Sequence, residues 1–474
     1  MVTNKFIQQI RSSIYAKVFA LIAVLSFTFT SCNDDDNQVV PPTDNIVKLA
    51  QGNPELTSLV AALTKFPDLV STLSGSGNFT VFAPTNAAFS GLLSAIGQTS
   101  LDDIPESVLR QVLEYHVISS AAVLSTQLSN GEVTTVGGEK ITVNINSGVK
   151  LNTNINVVIA DVAANNGVVH VVDAVLVPPT IVPVVGTIVA PAFFNKSFTT
   201  LVAAVKQAGL LPTLLSTGNQ LTLFAPTNDA FAAAGITALP PNTTDGNALL
   251  TSILAYHVIA GPSEIKAADI ATGSSSAQTF GGSKIYLSKG AAGVFINGTS
   301  QVTATDIEAS NGVVHVINRT LMPPTKTIAE IVVESTQASS PQFTQLLAAL
   351  ARTDGQGAND LLAAVSASTG ELTVFAPTDA AFQALYTALN VDNVNQIDLA
   401  TLIAVLKKHV VASRVFSTDL VSGSVPTLNG NVTVNTSDLT VKGGSGEAAK
   451  LQASLLNIKG KNGVIHVIDK VILP

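Results

Sequence analysis

Length, composition and charge exclude several classes of function. The chain has 474 residues with a formal net charge of −8 at pH 7, which argues against nucleic acid as a partner. Only 12% of its residues are charged, its mean hydropathy is +0.42, and no apolar run is long enough to span a bilayer. The hydrophobic residues are therefore expected in buried cores.

Residues 1–31 are predicted to be a lipoprotein signal peptide. Basic residues precede the apolar run Val18–Phe29, which has the length of a signal-peptide core. The next segment, Phe29–Cys32, resembles a bacterial lipobox, although Phe29 stands where leucine is usual. Cys32 is the only cysteine and is predicted to carry a lipid that attaches the protein to a membrane. A free thiol or an intermolecular disulfide is the alternative.

Residues 32–44 are predicted to form a tether, and they contain the acidic run Asp34–Asp36. A short charge run is commonly a solvated spacer. Acidic residues directly after a lipidated cysteine also resemble the signal that some Gram-negative bacteria use to send lipoproteins to the outer face of the outer membrane. That resemblance predicts an outer-membrane lipoprotein exposed at the cell surface, and both interpretations of the run stay open.

The rest of the chain contains a stretch that occurs three times. It reads TVFAPTNAAF at Thr80–Phe89 and returns at Leu221–Phe231 and Leu372–Phe382. The intervals between the copies have the length of domains rather than of solenoid repeats. In each copy a proline removes a backbone donor and ends an apolar strand, and the threonine or Asn/Asp that follows is placed to cap a new helix.

A helix with its own repeat follows each of these corners. The first copy, VLRQVLEYHV, places apolar residues at i, i+3 and i+4 and His116 at i+7, so the histidine completes an apolar helix face. This copy ends in Tyr115–His116, whereas the others end in Tyr256–His257 and Lys408–His409.

A third recurrent block closes each unit. It begins with Asn-Gly, which favours the positive φ of a tight turn, and continues as a β-branched run that is typical of a strand buried on both faces. The blocks start at Asn166, Asn311 and Asn462, and each contains a second histidine, at His170, His315 and His466.

At these residues the chain resembles the fasciclin, or FAS1, family. The resemblance covers three tandem domains, predicted at residues 45–179, 187–324 and 326–474. It implies an α+β fold in which a β-sandwich or wedge packs against several α-helices. It also implies adhesion to partners outside the cell and does not imply catalysis. Short proline-rich linkers, such as residues 178–183, further predict three independent cores.

In animal members of this family the Tyr-His element is implicated in integrin binding, together with neighbouring apolar residues. The resemblance therefore marks a possible interaction element, which consists of Tyr115, His116, Tyr256, His257, Lys408 and His409. The inward position of the histidine favours instead a structural role at the helix end. The lysine of the third domain departs from the pattern, and an integrin partner is not carried over to a bacterial chain.

The sequence predicts no catalytic, cofactor-binding or metal-binding residues. All six histidines occupy the two repeated positions. A pair such as His116 and His170 could supply metal ligands, but no HExxH, HxxxH or Cys/His cluster accompanies it. A buried histidine bonded to the backbone is the favoured interpretation. Nucleophile-elbow and P-loop motifs do not occur either, so an enzyme is not predicted.

Two functions stay open. The first is adhesion or matrix binding, in which three similar domains on one anchored chain combine weak contacts. Whether the extracellular ligand is a protein or a polysaccharide stays open. The alternative is glycan capture or scaffolding beside surface transporters. The chain has no Trp and five Tyr, so aromatic platforms for sugars are scarce. The sequence predicts neither a cofactor nor an oligomeric state.

Overall fold

Each of the three repeats begins with short helices and closes with a strand that pairs with its first strand. The computed structural model describes residues 41–152, 154–216 and 218–474. The predicted signal peptide, Cys32 and most of the predicted tether lie outside the described residues. In what the structure does describe, no helix is long and apolar enough to cross a membrane.

The first repeat (45–179) places three helices before its first strand. Its helices are α1 Ile46–Gln51, α2 Thr57–Leu63, α3 Pro67–Ser74, α4 Asn86–Ala95 and α5 Glu106–Tyr115, with 3-10 turns at Pro54–Leu56 and Ser125–Gln127. Its strands are β1 Phe79–Pro84, β2 Val117–Ile118, β3 Gly131–Thr134, β4 Lys140–Asn144, β5 Lys150–Leu151, β6 Ile155–Ala164 and β7 Gly167–Val172.

The second repeat (187–324) follows the same order. Its helices are α6 Ala190–Phe193, α7 Thr199–Gln207, α8 Leu211–Leu214, α9 Asn228–Ala233 and α10 Thr244–Ala255, with a 3-10 turn at Lys196–Phe198 and another before the repeat at Val182–Val184. Its strands are β8 Gln220–Pro226, β9 Val258–Gly261, β10 Gly273–Gln278, β11 Lys284–Gly290, β12 Gly293–Ile296, β13 Ser300–Ala309 and β14 Gly312–Ile317.

The third repeat (326–474) divides its strands more finely. Its helices are α11 Ile328–Thr336, α12 Thr344–Ala351, α13 Leu361–Ser366, α14 Asp379–Leu389 and α15 Leu399–Lys408, with 3-10 turns at Gly357–Asn359, Val394–Gln396, Ser417–Asp419 and Ala453–Leu455. Its strands are β15 Leu372–Pro377, β16 Val410–Val411, β17 Gly423–Thr427, β18 Gly430–Asn435, β19 Thr440–Lys442, β20 Ala449–Lys450, β21 Ile458–Gly460 and β22 Gly463–Ile468.

The first and last strands of each repeat lie side by side and run parallel: β1 with β7, β8 with β14, and β15 with β22. The strand order is β2-β1-β7-β6-β5-β4-β3 in the first repeat and β10-β11-β12-β13-β14-β8-β9 in the second. In the third repeat the order is β16-β15-β22-β21 in one sheet and β17-β18-β19-β20 in another. The remaining pairs in these sheets are antiparallel, and the combination with helices confirms the predicted α+β class.

The strand-to-helix corner forms as the sequence predicts. Strands β1, β8 and β15 each end at the proline, and the following threonine accepts a hydrogen bond from the N–H three residues on, at 3.1 to 3.2 Å. These threonines are Thr85, Thr227 and Thr378. The next residue caps a neighbouring helix instead, since Oδ1 of Asn86 accepts from the N–H of Ser58 at 2.8 Å.

The first two repeats share one continuous core of buried side chains on their helical side. A polar contact accompanies it: Nε2 of Gln98 donates to the carbonyl oxygen of Pro191 at 3.3 Å, and its Oε1 accepts from Nδ2 of Asn195 at 3.3 Å. The third repeat has separate clusters. The prediction of three independent cores is therefore wrong for the first two repeats, because side chains beyond the linker pack directly against each other.

Candidate functional site

The Tyr-His element lies inside each repeat, where α5, α10 and α15 end. His116 is buried; its Nδ1 lies 2.7 Å from the carbonyl oxygen of Val112, and its Nε2 accepts from the N–H of Leu176 at 2.9 Å. His257 and His409 make the same two bonds at 2.8 to 2.9 Å. Because Nε2 accepts, Nδ1 carries the proton and donates it. Each ring thus ties the helix end to the segment that follows the closing strand.

Burial keeps these three rings neutral. It lowers the pKa of His116, His257 and His409 from 6.5 to about 4. A second proton on Nε2 would also face a backbone N–H and remove that hydrogen bond. These side chains stabilise the fold and reach no solvent.

The tyrosine of the element is buried as well. The hydroxyl of Tyr115 donates to the carbonyl oxygen of Lys140 at 2.7 Å and accepts from Nδ2 of Asn152 at 2.9 Å. Asn152 has a φ of +45°, a left-handed conformation that asparagine adopts more readily than most residues. Tyr256 repeats the arrangement with Asn297, and burial raises the pKa of Tyr256 to about 12.

The third repeat changes both members of this pair. Lys408 replaces the tyrosine, is 6% exposed, and donates from Nζ to the carbonyl oxygen of Asn429 at 3.0 Å. Lys442 stands where the other repeats have the left-handed asparagine, since it pairs with Thr433 on the neighbouring strand as Asn152 pairs with Thr142. The Lys408 departure is therefore accompanied by loss of the asparagine that would bond a tyrosine hydroxyl.

The second set of histidines adopts the opposite tautomer. Nε2 of His170 donates to the carbonyl oxygen of Val123 at 2.9 Å, and its Nδ1 accepts from the N–H of Asp161 at 3.2 Å. Its ring lies on the ring of Phe82, its neighbour across the parallel strands, with 5.7 Å between centroids. His315 and His466 repeat these bonds and contacts.

Sequence reasoning missed the residues that present the N–H to this second histidine. They are Asp161, Asp306 and Asn457, with φ values of +63°, +56° and +59°. Their side chains also accept a backbone N–H, as from Ser125 to Asp161 at 2.6 Å. Each precedes its histidine by nine positions, and this repeated spacing could have revealed them.

The asparagine that begins the closing block forms side-chain hydrogen bonds to distant segments of its repeat, in addition to its place in a turn. Oδ1 of Asn166 accepts from the N–H of Ile46 at 3.0 Å, and Nδ2 donates to the carbonyl oxygens of Leu73 and Gly75, each at 2.8 Å. The next residue must be glycine, because a Cβ at Gly167 would lie 2.2 Å from the carbonyl oxygen of Phe79. Asn311 and Asn462 tie their own repeats together in the same way.

The repeated histidines do not form a metal centre. Both nitrogens of each ring engage backbone groups, so no free pair of ligands faces a common point. Over residues 41–152, 154–216 and 218–474, no group of three or more His, Cys, Asp or Glu side chains could hold a metal ion.

A polar cleft of about 380 Å³ lies between the second and third repeats. Tyr286 of the second repeat donates to Oε1 of Glu371 at 2.6 Å, and Nε of Arg414 donates to Oε2 of the same carboxylate at 2.8 Å. Lys459 and Lys461 also line the cleft, and burial together with the nearby Arg414 lowers the pKa of Lys459 to about 8. The cleft combines several cationic groups with one carboxylate that is already paired.

Comparison with known proteins identifies the class. The Fasciclin domain model matches residues 54–178, 196–323 and 341–474, which is most of the chain. This chain belongs to the fasciclin-domain family.

Several relatives are similar to it. It is 43% identical to protein sll1483 of Synechocystis over 135 residues, covering 28% of this chain and 73% of that protein. It is 30% identical to transforming growth factor-beta-induced protein ig-h3 of Sus scrofa over 267 residues, which cover 56% of this chain and 37% of that protein. It is 27% identical to periostin of Homo sapiens over 428 residues, which cover 87% of this chain and 45% of that protein. The chain thus spans less than half the length of these two animal relatives.

Proposed function

We propose that this protein is a cell-surface adhesion protein that binds through weak contacts made by several fasciclin domains. The observation that carries the proposal is the threefold match to the Fasciclin domain. Three related domains on one chain raise one another's effective concentration at a target, so contacts that are weak singly become strong together. The similarity to periostin extends along 87% of the chain, which supports treating the whole array as the binding unit.

The binding contacts belong to the outer surfaces of the domains in this proposal. Tyr115 and Tyr256 are 1% and 2% exposed, and the histidines beside them are equally buried. A partner could reach these groups only after local unfolding. Because the first two domains share a core, they act as one binding unit, and the third domain acts as the other binding unit.

The anchor is the lipid on Cys32, and the acidic tether holds the array away from the outer membrane. This part rests on the sequence pattern of residues 1–44. In this proposal the domains lie at the cell surface, where an adhesion protein meets its partner.

Capture on intact cells tests the proposal. Biotinylated protein comprising residues 41–474 is crosslinked to cells, recovered under denaturing conditions, and compared with a sample that contains excess unlabelled protein. Adhesion to a protein partner predicts a recovered protein that the competitor removes. Recovery of a polysaccharide alone would contradict the adhesion proposal and support the second candidate.

That second candidate is capture of an anionic polysaccharide, and the cleft between the second and third domains favours it. Lys284, Arg414, Lys459 and Lys461 line the cleft, while Glu371 is occupied by Tyr286 and Arg414. Sulfate or carboxylate groups of a glycan would meet positive charge there. The test is retention on a heparin column: Lys284→Ala and Lys461→Ala lower the eluting salt concentration, whereas Lys442→Ala, an exposed control in the third domain, leaves it unchanged.

A further inference from the structure

The first domain contains an apolar cavity of about 230 Å³, open at one end, beside its helices α1 to α3. Buried aliphatic side chains dominate its wall, among them Val47, Leu59, Leu63, Leu73, Leu113 and Val169. The mouth is formed by exposed residues, including Thr72, Ser119 and Val136. Protein cores are normally packed without voids of this size, so the cavity calls for a physical reason.

The second domain shows that the fold can close this space. Its equivalent cavity holds only about 40 Å³. Phe280 stands at the mouth where the first domain has Val136, since both donate their N–H to the strand after the Tyr-His helix, at 2.7 Å. Phe193 lines the same cavity at the position of Gln51, five residues after the isoleucine that the closing asparagine binds. The smaller cavity of the second domain is therefore lined by Phe193 and Phe280, whereas the first domain has Gln51 and Val136 at these two positions.

An empty apolar cavity destabilises a fold in proportion to its volume. An engineered cavity of about 150 Å³ with a similar lining stays dry and binds benzene. The space in the first domain is larger than that, and an apolar occupant would recover the packing that the wall lacks.

The charges around the cavity define the chemistry of the occupant. Only Glu114 and His116 among its lining residues are titratable. Both nitrogens of His116 are engaged by backbone groups, so the ring meets the cavity as an apolar surface. Glu114 is bonded to Arg110 at 3.2 Å and adds negative charge near the rim, which disfavours an anionic ligand.

We propose that the first domain binds one small, uncharged, apolar molecule in this cavity. The site is separate from the adhesion surfaces, and its test does not depend on them. Val136 controls entry, and the second domain has lost the site through Phe193 and Phe280.

Isothermal titration of protein comprising residues 41–474 compares benzene with sodium benzoate, which has the same ring and a negative charge. Benzene binds with a stoichiometry of one, and benzoate binds at least roughly tenfold more weakly. No benzene binding, or equal binding of benzoate, overturns the proposal.

Variants locate the site. Val136→Phe copies the second domain, so it is expected to fold, and it abolishes benzene binding, whereas the matched control Val136→Ala retains it. Benzene binding that survives Val136→Phe contradicts this location. Conversely, Phe193→Gln combined with Phe280→Val copies the first domain into the second and raises the stoichiometry to two; a stoichiometry that stays at one contradicts the role of these aromatics.

Discussion

Acidification should destabilise the third domain through His409. The folded protein holds this ring neutral with a pKa of about 4, whereas the unfolded chain has a pKa of 6.5. Between these values the unfolded state binds more protons, so the stabilisation is complete above pH 6.5 and is lost as the pH falls towards 4. At pH 4.5 this linkage removes about 2.5 kcal/mol from the free energy of unfolding relative to pH 7.5.

Comparison of wild type with His409→Gln isolates that contribution from other titrating groups. The variant should be less stable at pH 7.5, because glutamine can donate to the carbonyl oxygen of Val405 and accept from the N–H of Ile472 but lacks the rigid ring that holds both polar groups in place. The stability gap between the two proteins should shrink by about 2.5 kcal/mol at pH 4.5, because the variant has no ring there to protonate.

The assay is urea-dependent hydrogen exchange of peptides from β22, corrected for the pH dependence of intrinsic exchange. It reports the third domain, whose clusters are separate from those of the other two. A gap that is the same at pH 7.5 and pH 4.5 would refute the assignment of His409 as a buried neutral ring.

Two further predictions follow from contacts between and within domains, and a third follows from the predicted lipid anchor. Gln98→Ala removes the hydrogen bonds to the second domain and should lower the free energy of unfolding by about 1 to 3 kcal/mol. Calorimetry should show a lower temperature for the joint transition of the first two domains and no change for the third. Separate transitions for the first two domains would disprove the shared core. Lys408→Tyr and Lys442→Asn together should stabilise the third domain by about 1 kcal/mol more than the sum of the two single changes, because the asparagine can donate to the new hydroxyl as Asn152 does to Tyr115. Simple additivity in this double-mutant cycle would count against the hydroxyl–asparagine pairing. Cys32→Ala should move the protein from the membrane fraction to the soluble fraction with its thermal unfolding unchanged, and continued membrane retention would rule out the lipid anchor.

Local patterns were sufficient to predict much of each repeat. The proline that ends β1 and the threonine that caps α4 act through neighbours a few positions away, so their roles are visible in the sequence. The spacing of the helix before His116 likewise predicted a histidine that faces inward. These features depend on backbone geometry and hydrophobic periodicity, which a single chain displays directly.

Contacts between distant residues escaped prediction for a physical reason. Asn166 accepts a hydrogen bond from the N–H of Ile46, which lies 120 positions earlier in the chain. The residues around Asn166 in the sequence do not indicate so distant a partner. The shared core of the first two domains depends on how whole surfaces meet, which the proline-rich linker does not specify. The role of Asp161 could have been predicted, because its nine-residue spacing to His170 occurs in every repeat.

The affinity of fragments for the captured target tests the adhesion account most directly. Protein comprising residues 41–474 is compared by surface plasmon resonance with 41–324, which keeps the shared core intact, and with 326–474. Multivalent adhesion predicts that the full array binds roughly a hundredfold or more tightly than either fragment, because the two binding units act at high effective concentration. A fragment that binds as tightly as the full array would contradict the account, since one of the two binding units would then hold the entire site.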